Sequence, residues 1–318
     1  MIFGVGNSIV DVLVRVDNKL LAELGMPKGV MTLVDEARSK VILQKVELMQ
    51  RSIMPGGSCC NTMIGITSLG GRAIYTGIVG KDSFGELFED KLKSFGVRSN
   101  IVKAKGMTGS SVIMVSPDSE RTMNTHLGVC DQLVKEHVVE RDLLKSEILH
   151  TTAYFFDTCP ETCLHVLKLA KQNGIKVSFD VSDPFLVRAN SELKKIAEYA
   201  DIVFLNRDEA RLFQGVNVRH TLHEIGKHAK TVVVKVGADG SYVCHKKRYY
   251  KIPAFRVEAV DTTGAGDMYA AGFLFGLTQG YKVHEAGHIG SFAASKVVEV
   301  MGARLDYSLK SEVEERFG

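Results

Sequence analysis

The stretch ILHTTAYFFDTCPETCLHVLKLAKQNGIKVSFDV, residues 148–181, places an apolar run, a segment with apolar residues at helical spacing, and a second apolar run in succession. That order predicts a strand, a covering helix and another strand, with Gly174 closing the helix where a left-handed C-cap is expected. The runs ILHTTAYFF (148–156) and IKVSFDV (175–181) are apolar on both faces, as are DIVFLN (201–206) and TVVVKVG (231–237). Such strands are buried between two layers of helix. SELKKIAEYA (191–200) and TLHEIGKHAK (221–230) continue the helical spacing between them, so this half of the chain reads as an α/β fold with a mostly parallel sheet.

Toward the N-terminus the pattern changes. VDVLVRVD, GVMTLVDE, SSVIMVS and ERTMNTH look like strands joined by turns, with SPDSE as the clearest hairpin signal. They cannot all join the parallel sheet. The expectation is a small β-rich flap, assembled from about residues 10–35 and 98–127 and interleaved with one continuous core spanning 1–318. The chain shows neither an internal repeat nor a low-complexity linker.

The composition is that of a globular protein, with 318 residues of which 45% are apolar and 24% charged; this excludes disorder and fibrous structure. Lys+Arg 40 against Asp+Glu 37 gives a net charge of +3, too balanced for an electrostatic nucleic-acid binder. Small polar partners fit better. The longest nearly unbroken apolar run, Met268 to Leu277, falls short of the about 20 residues a membrane helix needs, so no membrane partner is expected. The N-terminus carries no basic residue before Arg15 and reads as a strand rather than a secretory signal. Six cysteines without a CxxC pair suggest reduced thiols and a cytoplasmic location.

The segment richest in chemistry is AVDTTGAGDMYAAGFLFGL, residues 259–277, a strand end followed by Gly264-Ala265-Gly266 and a helix. Small residues let backbone N–H groups converge on a phosphate, and the helix N-terminus adds partial positive charge. Asp267 in the first turn would repel that phosphate, a conflict that makes sense if it takes a proton from an attacking hydroxyl. The competing reading is a glycine turn with an aspartate cap. No GxxxxGK[ST] occurs, and Gly4-Val5-Gly6 does not complete GxGxxG, so neither a P-loop nor a dinucleotide fingerprint is present.

A second glycine segment, PGGSCCNT (55–62), precedes an apolar helix and continues to LGGRAIYTGIVGKDSFGE. Backbone can approach a ligand closely at Gly56 and Gly57. Asn61 can donate and accept hydrogen bonds to a sugar diol, or simply cap the helix.

Together and in this order, DTTGAGD and GGSCCNT…GxxGxDxFG resemble the two signatures of the pfkB or ribokinase family of small-molecule kinases. The likeness runs from Gly6-Asn7-Ser8-Ile9-Val10-Asp11 to Gly302-Ala303-Arg304. RTMNTHLGVC, YFFDTCPE, FDVSDPF and DIVFLNRDEA look most like the family's adenosine kinase branch. The resemblance implies a ribokinase-like three-layer sandwich with a small β lid, using ATP and Mg2+ to phosphorylate a primary hydroxyl. Adenosine or another nucleoside is the favoured acceptor, with a sugar such as ribose, fructose or a ketodeoxy acid as the alternative and a non-catalytic regulator as a further one. By resemblance, Asp267 is the base, Gly264, Ala265 and Gly266 form the anion hole, and Arg121 folds over the phosphates. Asn7, Asp11, Gly56, Gly57 and Asn61 hold the acceptor, and Phe156, if it is not core packing, stacks its base. Asn206 and Glu209 of the NxxE pattern organise magnesium through water, and Lys235, Gly237 and Gly240 form an ATP-side turn. Ser291 stands where sugar kinases often place Asn near the adenine. Asp157 is a departure that either walls the base pocket or faces solvent. The Ser-x-Pro ending after Gly302-Ala303 is missing, which puts the family's potassium site in doubt. A homodimer through the lid is compatible with the family.

Overall fold

In a computed structural model of the chain, residues 1–189, 192–214 and 217–318 are described. Their fourteen strands, numbered in chain order, form two sheets. The large sheet runs from β6 (Arg98–Ala104) through β5 (Ala73–Gly80), β1 (Ile2–Val5), β9 (Ile148–Thr152), β10 (Lys176–Asp180) and β11 (Ile202–Asn206) to β12 (Thr231–Lys235). All seven are parallel. β13 (Ser241–His245) and β14 (Arg248–Ile252) complete it as an antiparallel edge.

Alternation along these strands sorts the core into two layers. Ile2, Tyr75, Val79, Phe204 and Val233 pack to one side with the helices Ser58–Ser68, Ala265–Thr278 and Val283–Val297. Phe3, Ile74, Ile78, Val203, Leu205 and Val234 pack to the other with Pro160–Gln172 and Val218–Ile225. This is the three-layer α/β sandwich that both-faces-apolar strands require. Of the helix read at 191–200, Glu192–Tyr199 is helical and Ser191 lies outside the described residues. No helix among the described residues is long and apolar enough to cross a membrane.

The small sheet has the order β3 (Met31–Leu33), β8 (Arg121–His126), β7 (Gly109–Val115), β2 (Ile9–Arg15), β4 (Arg51–Gly56). Its composition corrects the expected flap in two places. Arg98–Ala104 is not part of it, because β6 pairs with β5 at the edge of the large sheet, where Arg98 Nη2 donates to both oxygens of the buried Asp142 at 2.8 and 2.9 Å. A half-exposed edge strand carries the same mixed polarity as a flap strand, which is why the pattern misled. Conversely Arg51–Gly56, just before the glycine loop, does belong, paired antiparallel with β2. On β2, Val10, Val12 and Val14 face the core, leaving Asp11 and Leu13 on the opposite face.

A second correction concerns 148–156. The strand ends at Thr152, and Ala153–Thr158 is a short helix. β1 pairs with β9 only as far as Gly4 with His150, and β10 only as far as Asp180 with Thr152, so the backbone beyond has no ladder to join.

Two helices that position the site approach each other closely because glycines line the contact. A Cβ on Gly272 would lie 2.8 Å from Gly290 Cα, and one on Gly276 2.9 Å from Ala286 Cα. Helix propensity alone would make Gly272→Ala stabilising by about 1 kcal/mol. Overpacking against fixed backbone should reverse the sign and lower stability by about 1–3 kcal/mol, read as a lower midpoint in urea unfolding; a raised midpoint would mean that the helices separate freely.

Candidate active site

Gly264 caps the Ala265–Thr278 helix with φ of 76°, and a Cβ there would lie 2.2 Å from the Ala303 carbonyl oxygen. Glycine is therefore demanded by conformation and by space. The helix start offers first-turn amide hydrogens that have no helical acceptor, and small residues at 264–266 leave it open. Asp267 projects from this turn. Its Oδ1 accepts from Ser58 Oγ at 2.6 Å and its Oδ2 from Asn61 Nδ2 at 3.0 Å. Both donors come from the Ser58–Ser68 helix, which Gly57 starts at φ 90°. A Cβ on Gly57 would meet the Asn7 carbonyl oxygen at 2.4 Å, and one on Gly56 would meet the Asp11 carboxylate at 2.4 Å.

Two cavities flank the Thr262–Gly264 turn. The larger, about 920 Å³, is lined by Asp180, Asn206, Glu209, Lys235, Gly237, Gly240, Ser291 and the 264–267 loop, among others. The smaller, about 260 Å³, lies under the small sheet and is lined by Asp11, Leu13, Met54, Ile113, Arg121 and Arg304, among others. A continuous chain of contacts links them: Arg304 Nη2 sits 3.5 Å from Asp11 Oδ2 and donates to Asn61 Oδ1 at 2.9 Å, and Asn61 donates onward to Asp267.

Burial dominates the titration of the acidic groups. It pushes Asp267 up to about 6 against the pull of Ser58 and Asn61, and Asp11 up to about 6 against the pull of Arg304 and Arg121. Glu209 rises to about 7 through burial and the neighbouring Asp180. Burial works against the Lys235 ammonium, but Asp180, 2.8 Å away, and Glu209 outweigh it and hold its pKa above the usual lysine value. A carboxylate near neutrality at a cleft is the state a proton acceptor needs.

The structure thus brings Gly264, Ala265, Gly266, Asp267, Asn206, Glu209, Lys235, Gly237, Gly240 and Ser291 around one cavity and Asp11 and Arg121 around the other. Ser291 Oγ donates to the Pro253 carbonyl at 2.8 Å. Three expectations change. Phe156 lies in the short helix, buried in the apolar layer, and lines neither cavity; early termination of β9 rotates it into the core, while Tyr154 reaches the larger cavity instead. Arg121 does not stand free over a phosphate position, because its guanidinium is held by the buried Asp261 and by Thr263 Oγ1. Of the residues expected to hold the acceptor, Asn7, Gly56, Gly57 and Asn61 line neither cavity; Asn7 Nδ2 donates to the Tyr154 carbonyl and to Thr158 Oγ1, and Asn61 bridges Arg304 and Asp267. Asp157 is exposed and faces solvent. Ser58, Asp180, Asp261 and Arg304 carry no role that sequence reasoning assigns, although PGGS, FDVSDPF, DTTGAGD and GAR contain them; only spatial convergence singles them out.

Asp180, Asn206 and Glu209 line the larger cavity, but Lys235 and Ser182 N already donate to Asp180 and the amides of Asp208 and Glu209 to Asn206 Oδ1, so these residues would hold a magnesium ion only through waters. Both Glu209 oxygens already accept from Asn206, which favours outer-sphere contact. The Asp261 carboxylate, beside the loop where potassium is considered, accepts from Arg121, Thr263 N and Gly302 N, a donor set that does not suit a further cation.

Lys235 supplies a nearby cation to Glu209, so Lys235→Met should raise the Glu209 pKa further. A carboxylate whose folded pKa exceeds its unfolded value contributes stability that is present in acid and lost as pH rises through the folded pKa. The stability deficit of the variant should therefore grow from about pH 5 to about pH 9 when urea unfolding is compared across that range. If Glu209 titrates about one pH unit higher in the variant, the growth amounts to about 1.4 kcal/mol. A deficit independent of pH would contradict this electrostatic role.

Comparison with known proteins agrees with this geometry. Residues 33–309 match the family described as pfkB family carbohydrate kinase. An uncharacterized sugar kinase of Archaeoglobus fulgidus is 28% identical over 243 residues, 76% of this chain and 97% of the relative. The 5-dehydro-2-deoxygluconokinase of Bacillus subtilis is 29% identical over 269 residues, 79% and 83% of the two chains. Among solved structures, the adenosine kinase from Sinorhizobium meliloti superposes with a TM-score of 0.90 at 33% identity, covering 99% of this chain and 98% of that one. The probable sugar kinase protein from Rhizobium etli gives the same TM-score and identity, with 99% and 97% covered. A match that spans residues 33–309, on a ribokinase-like fold with an aspartate at the glycine-opened helix start, means that the chain belongs to the pfkB family of carbohydrate kinases and is an ATP-dependent phosphotransferase.

Proposed function

We propose that this kinase transfers the γ-phosphoryl group of ATP to a primary hydroxyl of a ribosyl nucleoside, with adenosine the favoured acceptor. The observation that carries the reading is the contact chain Asp11–Arg304–Asn61–Asp267, which runs from the smaller cavity to the carboxylate at the helix start. In this reading ATP occupies the larger cavity, its phosphates toward Lys235 and the 264–267 loop, and the acceptor occupies the smaller one.

Asp267 takes the hydroxyl proton as the acceptor oxygen bonds to the γ-phosphorus, the bond from that phosphorus to the β,γ-bridging oxygen breaks, and ADP leaves. Helix-start amides and Lys235 stabilise charge on the transferred group without reorganising. Magnesium, when bound, neutralises phosphate charge and orients it. Ser58 and Asn61 keep the Asp267 carboxylate oriented for the transfer.

Two features support a neutral nucleoside. The cations of the smaller cavity are already matched, Arg304 by Asp11 and Arg121 by Asp261, which gives no surplus charge for a sugar acid. Leu13, Met54, Ile113 and Met301 add apolar surface to the cavity, of use to a heterocycle and of little use to a free sugar. The Sinorhizobium meliloti adenosine kinase, similar along nearly the whole chain, supports the same choice. A free-sugar acceptor is the second reading, favoured by the position of Phe156 in the core, since the smaller cavity then lacks an aromatic face.

Asp267→Asn should lower turnover by about 10²–10⁴-fold while ATP and acceptor still bind, as measured by coupled ADP release and calorimetry; near-normal turnover would remove Asp267 from the proton-accepting role. Because an ionised Asp267 is required, kcat/KM of the parent should climb with pH through about 6.

A panel of nucleosides and sugars, assayed for ADP release under identical conditions, should give adenosine the highest kcat/KM. Preference for ribose or fructose over every nucleoside would replace the nucleoside reading with the sugar one and leave the phosphotransfer chemistry in place.

A further inference from the structure

The loop Gly302–Arg304, part of the lining of the smaller cavity, touches both ends of the proposed reaction path. Its backbone packs on the anion loop, with the Ala303 carbonyl against Gly264, and Gly302 N donates to Asp261. Its side chain, Arg304, is only 7% exposed and reaches Asn61 and Asp11 through a single nitrogen, Nη2. The other terminal nitrogen, Nη1, is buried without a protein partner. Stability alone would not select a buried guanidinium satisfied on one side, so the contacts made by Nη2 invite a functional account.

The amide of Asn61 has two faces, and Arg304 decides which points where. A guanidinium only donates, so the Asn61 atom facing it must be Oδ1, and the Asn61 nitrogen is thereby turned to Asp267 Oδ2. The same cation stands beside Asp11. We propose that Arg304 is a positioning residue of the acceptor half-site, holding Asn61 in the orientation that aims Asp267 and keeping Asp11 ionised so that it accepts from the acceptor's hydroxyls. This rests on the acceptor occupying the smaller cavity.

The charged groups facing Asp11 are Arg304 from this loop and Arg121 from β8; the Cys60 thiol from the Ser58–Ser68 helix, pushed up to about 12 by burial, is neutral. Asp306 lines the same cavity. Loss of Arg304 leaves Arg121 as the nearby cation, and Arg121 is committed to Asp261.

The test compares the full-length parent with Arg304→Met and Arg304→Lys, using carboxyl-carbon NMR titration of Asp11 and steady-state kinetics with adenosine. In Arg304→Met, Asp11 should titrate about one pH unit higher, the acid limb of kcat/KM for the acceptor should move up with it, and the acceptor KM should rise about tenfold. The ATP KM should stay within about twofold. Arg304→Lys keeps the charge and the aliphatic stem and so preserves the fold; it should restore the Asp11 titration while still raising the acceptor KM about fivefold, because an ammonium lacks the planar fork. If Asp11 titrates as in the parent in folded Arg304→Met, the proposal fails, and if Arg304→Met does not fold, an unchanged acceptor KM in Arg304→Lys overturns it. A parent that phosphorylates neither nucleosides nor sugars would overturn the acceptor assignment instead, and the Asp11 titration, which needs no turnover, would still decide the role of Arg304.

Discussion

The start of the Ala265–Thr278 helix is held from three directions, and the rest of the site is arranged around that grip. Ala303 presses on Gly264 from below, Ser58 and Asn61 clasp the Asp267 carboxylate from the neighbouring helix, and the Lys235 ammonium approaches so closely that a Cβ on Gly266 would lie 3.0 Å from it. The first and last of these contacts depend on a missing side chain, at Gly264 and at Gly266. Further along the same helix, Gly272 and Gly276 admit the Val283–Val297 helix, and Gly65 of the Ser58–Ser68 helix admits Ala271. Small residues thus bring three helices close enough for one buried carboxylate to be shared between elements more than 200 residues apart in sequence.

Burying that carboxylate is unfavourable in itself, as is burying Asp11, Glu209 and Lys235. The structure distributes the cost by pairing. Lys235 at the end of β12 answers Asp180 at the end of β10 and Glu209 in the helix that follows β11, and Arg304 and Arg121 answer Asp11 and Asp261 under the small sheet. The pairing is incomplete at Asp267, whose partners are a hydroxyl and an amide rather than a cation. Burial raises its proton affinity and these partners only partly offset it, the condition under which a carboxylate can take a proton from an alcohol near neutral pH.

The site lies where strands of the parallel sheet end, a common place for ligands in open α/β sheets. The larger cavity is built from the ends of β10, β11 and β12 and from the turn after β12. The small sheet contributes its outward face, Asp11 and Leu13 from β2, Ser52 and Met54 from β4 and Ile113 from β7. The period of two along β2 separates the valines that anchor the sheet from the aspartate that serves the cavity. Structural and functional demands are met by alternate residues of one strand.

Much of this was legible in the chain itself. Both-face apolar runs dictate a buried parallel sheet, because no other environment hides both sides of a strand, and the glycine strings before Asp267 and Asn61 declare two places where backbone must approach something closely. The roles expected of Asn206 and Glu209 and of the turn at Gly237 and Gly240 came from the resemblance to the kinase family rather than from the residues alone. What the sequence could not decide was which side chains meet. Phe156 reads as a strand residue, yet the ladder that would hold it straight ends at Thr152, and only the lengths of the neighbouring strands reveal that. Arg98–Ala104 reads like a flap strand until its pairing with β5 is known. Ser58, Asp180, Asp261 and Arg304 have no local signature, since hydrogen bonds that span from 55 to 243 residues of chain depend on the crossing of elements rather than on their propensities. Secondary structure and backbone approach are governed by forces between near neighbours and were written in the sequence; the proton affinity of Asp267, the orientation of Asn61 and the partner of Arg121 are set by long-range packing and burial, which only the tertiary structure decided.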